Sequence, residues 1–109
     1  MKHETREQLI STLLERAAEL RLVKGNDYSG MEDVNLNFKR GAARVGLDAK
    51  TVTMIYLMKH MDAIETFVRD GKVKSEPIEG RIVDAVNYLL ILASIIEEEK
   101  ETEKRIIYD

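Results

Sequence analysis

Residues 82–96 are the stretch that most constrains what this chain can become. Only Asp84, Asn87 and Ser94 interrupt an otherwise apolar or aromatic run. A membrane span needs about 20 apolar residues without such breaks, so the run is expected to be a buried central helix, apolar on nearly all sides. A carboxylate placed inside it has to be paired, metal-bound or neutral, because an isolated buried charge is very unfavourable. Asp84 and its neighbour Asn87 are therefore the first candidates for a site.

The rest of the chain has helical periodicity and almost no strand signal. Leu9, Leu13, Ala17 and Leu20 form one stripe of a first helix over about residues 4–23, and Gly25 is expected to stop it. Gly25-Asn26-Asp27-Tyr28-Ser29-Gly30 reads as a loop rich in donors and acceptors, either a plain turn or a ligand loop. A second helix over about 31–45 has Val34, Phe38, Ala42 and Val45 on one side, weakened at Gly41 and ended by Gly46. Asp48 is a good N-cap for a third helix over about 49–69, with Tyr56, Leu57, Met61, Ala63, Ile64, Phe67 and Val68 on its apolar arc and Gly71 at its close. Pro77 suits the first turn of a fourth helix running to about 104, whose end is a charge-rich, solvated extension. Short links between four helices predict a single all-α domain over 1–109, an antiparallel helical bundle.

Composition removes several classes of function. With a net charge of −3 and acids and bases interspersed, there is no basic block for general nucleic-acid binding. The absence of cysteine excludes disulfides, thiolate metal sites and thiol catalysis. No signal peptide is expected, because the opening residues run directly into an amphipathic segment; a soluble, cytoplasmic protein is the expectation. The fourth helix is apolar over more of its circumference than three partners can cover, which predicts a homo-oligomer.

Helical spacing puts Gly80, Arg81, Asp84, Asn87 and Tyr88 on one face of the fourth helix, and Lys59, Asp62, Glu65, Thr66 and Arg69 on the non-apolar face of the third. If these faces meet, Asp62, Glu65 and Asp84 make a carboxylate group suited to Mg²⁺ beside Lys59, Arg81 and Asn87. The plain alternatives are a solvated ion-paired face for Asp62 and Glu65, and an Asp84–Arg81 salt bridge or Asp84–Asn87 hydrogen bond inside the core. His60 falls on the apolar arc and reads as a packed histidine, and Phe38 reads as core.

The segments Lys24-Gly25-Asn26-Asp27-Tyr28-Ser29-Gly30, Glu32-Asp33, Asn35-x-Asn37-Phe38, Met58-Lys59-His60-Met61-Asp62, and 78–88 (Ile-Glu-Gly-Arg-Ile-Val-Asp-Ala-Val-Asn-Tyr) resemble the phage and bacterial family called nucleotide modification associated domain, type one. A more distant likeness is to the all-alpha MazG-like and dimeric dUTPase nucleoside triphosphate pyrophosphatases. Those enzymes pair Glu-x-x-Glu on one helix with Glu-x-x-Asp on the next around Mg²⁺. Here Asp62-x-x-Glu65 resembles the first pair, and Arg81-x-x-Asp84 lies where the second stands, with arginine in place of an acid. The resemblance implies nucleotide handling, with Lys24, Asn26, Asp27, Tyr28, Lys59, Arg81, Asn87 and Tyr88 as ligand contacts and Asp62, Glu65 and Asp84 as metal ligands. An arginine at that position suits direct phosphate contact. Three readings stay open: a Mg²⁺-dependent nucleotide pyrophosphatase, a non-catalytic phage-type protein that sequesters a nucleotide immune signal in counter-defence, and a helical interaction protein with no nucleotide ligand.

Overall fold

The computed structural model describes residues 1–28, 33–72 and 76–108, and the side chains within them other than those of 26–28 and 106–108. These residues form four helices and no strand: α1 His3–Tyr28, α2 Leu36–Val45, α3 Ala49–Asp70 and α4 Ile78–Tyr108. The all-α bundle expected from the periodicity is the architecture found.

Individual contacts give the helix directions. His60 of α3 meets Arg81 of α4, while Lys50 meets Glu99. The numbering therefore runs in opposite senses, and α3 and α4 are an antiparallel pair, the most extensive contact in the fold. Arg21 and Lys24 of α1 reach Asn87 and Asp84 of α4, again antiparallel. Phe38 stacks edge-on against Tyr56, and a side chain at Gly41 would stand 3.7 Å from Val52, so α2 lies antiparallel on α3.

The helix ends show which local signals win. Asp48 accepts a hydrogen bond from the Thr51 amide at 2.8 Å, as its N-cap position predicts. Gly46 and Gly71 close α2 and α3 in the left-handed conformation, where a side chain would be strained. Gly25 does not stop α1. It keeps negative φ, and the helix continues through Tyr28. The backbone of 26–28 is therefore helical where a loop was expected, while Ser29, Gly30, Met31 and Glu32 lie outside the described residues. The second helix starts at Leu36 instead of about 31, because Asp33 Oδ1 accepts from the Asn35 amide at 3.0 Å. That local turn competes with helix at the residues it uses. Pro77 sits just ahead of α4, and its carbonyl accepts from the Gly80 amide.

The buried apolar residues among those described are Ala17, Phe38, Ala42, Val52, Leu57, Val83, Ala85 and Ile95. This is a thin core. Of the expected stripes, Leu9, Val34, Val45, Met61 and Val68 are exposed, and Tyr56 is exposed too although Phe38 and Tyr88 lie against its ring. The radius of gyration is 16.4 Å, against about 13 Å for a compact domain of this length. No helix among the described residues is long and apolar enough to cross a membrane.

Candidate functional site

A cleft of about 1040 Å³ opens on α4 between α1 and α2. Its floor is the face of α4 carrying Asp84, Asn87, Tyr88, Ile91 and Ser94. These positions follow i, i+3, i+4, i+7 and i+10, so one helical turn repeats them on a single side. α1 contributes Arg21, Lys24 and Gly25 to one wall, and α2 with the residues before it contributes Asn35, Asn37, Phe38, Arg40 and Arg44 to the other.

Polar residues tie the walls to the floor. Arg21 Nη1 donates to Asn87 Oδ1 at 2.7 Å, across 66 residues of sequence. Asn87 is buried, so this charge-assisted bond satisfies an acceptor that would otherwise be costly. Asn35, also buried, donates from Nδ2 to Ser94 Oγ at 3.3 Å, and Ser94 in turn donates to the Ile91 carbonyl. Lys39 pairs with both Asp33 and Glu98, holding the entry to α2 against α4. Its ammonium beside Asp33 pulls that carboxyl below its usual range, and both acids push the lysine up.

The aromatic residues form a column. His60 stacks on Tyr88 with ring centres 5.3 Å apart, Tyr88 stacks on Tyr56 at 6.0 Å, and Phe38 meets both tyrosines edge-on. Offset and edge-to-face geometries of this kind are the favourable ones. Tyr88, Tyr56 and Phe38 line the cleft, and His60 closes the column behind them.

Asp84 is half-buried at the foot of the cleft, with Lys24 Nζ 3.9 Å and His60 Nδ1 3.7 Å from its carboxylate. Arg81 Nη1 lies 3.3 Å from the same His60 nitrogen. Arginine is always protonated and only donates, so Nδ1 is the acceptor and the histidine proton sits on Nε2. Burial lowers the His60 pKa below 6.5, the Asp84 carboxylate opposes this, and the Arg81 cation adds to it. The histidine is thus neutral at physiological pH, and packed, as its place on the apolar arc predicts.

The sign of the resulting pH effect follows directly. Above about pH 6.5 the histidine is neutral in both folded and unfolded chains and contributes no pH dependence. As the pH falls through that value, the unfolded chain takes up a proton that the folded one resists, so stability declines. Melting temperature is expected to fall more between about pH 7.5 and 5.5 in the parent than in His60→Gln, whose amide oxygen still accepts from Arg81. Equal falls in the two proteins remove this assignment.

The sequence candidates separate into three groups. Lys24, Asp84, Asn87 and Tyr88 come together in the cleft. Lys59, Asp62 and Glu65 are exposed on α3 and do not line it, because the face of α3 against α4 is that of Thr53, Leu57 and His60. Arg81 is buried at the side of His60, with Glu76 3.7 Å away, and is not among the lining residues. The side chains of Asn26, Asp27 and Tyr28 lie outside the described residues.

Asp62, Glu65 and Asp84 do not gather. Among the described residues no cluster of three or more His, Asp or Glu side chains is arranged to hold a metal ion. The donors next to Asp84 are a lysine and a histidine that already bonds Arg81. This set does not fit a Mg²⁺ site, which takes oxygen ligands.

Sequence reasoning missed Arg21, Arg40, Arg44 and Tyr56. The one available signal was the composition of α2, which carries Lys39, Arg40 and Arg44 and no acid within a net-negative chain. Comparison with protein-family models, with curated proteins and with solved structures gave no match.

Proposed function

We propose that the protein binds a nucleotide or nucleotide-derived anion in this cleft and captures it without a metal centre of its own. The observation that carries the reading is the charge of the described lining. Arg21, Lys24, Arg40 and Arg44 stand against Asp84 alone, in a chain whose net charge is −3. A concave, partly apolar site lined by one sign of charge concentrates ligands of the other. Guanidinium groups bind phosphate through paired hydrogen bonds and need no metal to do so. The Tyr56–Tyr88 stack with Phe38 at its edge offers a planar base an aromatic surface. Capture of a nucleotide signal or substrate, in the manner of a sequestering phage protein, uses these features and asks nothing of Asp62 or Glu65.

Calorimetric titration of a nucleotide panel, in EDTA and then in Mg²⁺, tests this. Binding is expected to have the same affinity in both buffers, with no pyrophosphate released. Binding that needs Mg²⁺ and is followed by pyrophosphate release replaces capture with hydrolysis.

A further inference from the structure

A glycine inside a helix lowers stability relative to alanine, so something other than helix formation decides its place. Gly46 and Gly71 stand at helix ends with positive φ, where any side chain is strained. Gly41 and Gly80 lie against protein: an added Cβ would stand 3.7 Å from Val52 and 3.8 Å from Glu76. Gly25 answers to neither reason. It keeps negative φ, and α1 runs on past it to Tyr28. An added Cβ at this position meets nothing within 4 Å among the described residues. The space left open belongs to the cleft, which Gly25 lines together with Arg21 and Lys24.

Arg21 and Gly25 are four residues apart and share a face of α1. A helical side chain leans toward the N-terminus and covers the turn before its own Cα. A side chain at position 25 would therefore lie over the turn that carries Arg21. We infer that Gly25 is a specificity-determining residue of the cleft: with no side chain there, a nucleotide phosphate held by Arg21 and Lys24 packs directly on the α1 backbone. Both cations are drawn down toward α4, Arg21 by Asn87 at 2.7 Å and Lys24 by Asp84 at 3.9 Å. An anion that reaches the two of them has to come in close to the surface of α1. Close approach of the backbone to a ligand is one of the uses to which glycine is suited. The inference rests on the cleft as an anion site, and it adds a residue that carries no charge and no side-chain donor.

Gly25→Ala and Gly25→Leu test it, with Gly80→Ala as a control away from the cleft. Each is measured by thermal melting and by calorimetric titration in EDTA, with the ribonucleoside monophosphates and triphosphates as probes. Gly25→Ala is expected to melt no lower than the parent and up to about 5 °C higher, because alanine is the better helix former. It is nevertheless expected to bind at least about fivefold more weakly, because a methyl group now occupies the approach. Gly25→Leu is expected to bind more weakly still, and Gly80→Ala like the parent. A glycine kept only for the fold cannot move stability and affinity in opposite directions. A Gly25→Ala protein that melts below the parent overturns the inference, since the glycine then serves the fold. Parent affinity in both Gly25 variants also overturns it and leaves the cleft reading standing. A parent that binds none of the probes removes the cleft reading and this inference together.

Discussion

Arg21→Ala is expected to weaken nucleotide binding by one to two orders of magnitude. A hydrogen bond to a charged group contributes about 1.5–3 kcal/mol, and about 1.4 kcal/mol is tenfold in affinity. Arg21 is also already fixed by Asn87 at 2.7 Å, so little side-chain entropy is lost when an anion docks on it. Arg21→Lys should recover part of the loss, because it returns the charge without the planar fork. Asp84→Asn should do the reverse and strengthen binding several-fold, since it removes the one carboxylate among the described lining residues and frees Lys24 from it. A metal-ligand role for Asp84 requires the opposite outcome, loss of binding. Calorimetry on these three variants therefore separates the two roles by sign. An Arg21→Ala protein that binds like the parent ends the cleft assignment.

Ile95→Ala is expected to cost about 2–5 kcal/mol of stability, the range for large-to-small changes in a packed core. Ile95 is 2% exposed and is, with Thr53, among the largest fully buried side chains of the described residues. In a core this thin its loss is a large share of the about 5–15 kcal/mol available to a domain. The urea midpoint, measured at one fixed protein concentration because assembly adds to apparent stability, should drop accordingly. Ile95→Val should cost about 0.5–1.5 kcal/mol. A loss under about 1 kcal/mol for the alanine variant means that Ile95 is not the packing centre its burial implies.

Much of the fold was legible because its signals are local. Asp48 needs only Thr51, three residues on, to cap α3, and Gly46 and Gly71 need only their own backbone freedom to end α2 and α3. Gly25 misled because glycine permits a left-handed stop without requiring one, and α1 continues instead. Asp33 misled in the other direction: its side chain bonds the Asn35 amide and delays α2. Within the site, Asp84 announced itself as an acid in an apolar run. Its partners did not, because Lys24 and His60 reach it from two other helices. The same holds for Arg21 and Asn87, which are 66 residues apart. Spacing says which residues share a face of one helix, but which faces meet depends on packing. Helical spacing alone allows the polar face of α3 to meet α4, whereas α4 packs on Thr53, Leu57 and His60.

The aromatic column also gives the cleft an optical property. The chain has four tyrosines and no tryptophan, so no indole drains tyrosine excitation by energy transfer. Two of the four, Tyr56 and Tyr88, stack on each other in the cleft. If the proposed nucleotide seats its base against them, it would couple directly to the chromophores, and its arrival would change the ultraviolet emission of the unlabelled protein.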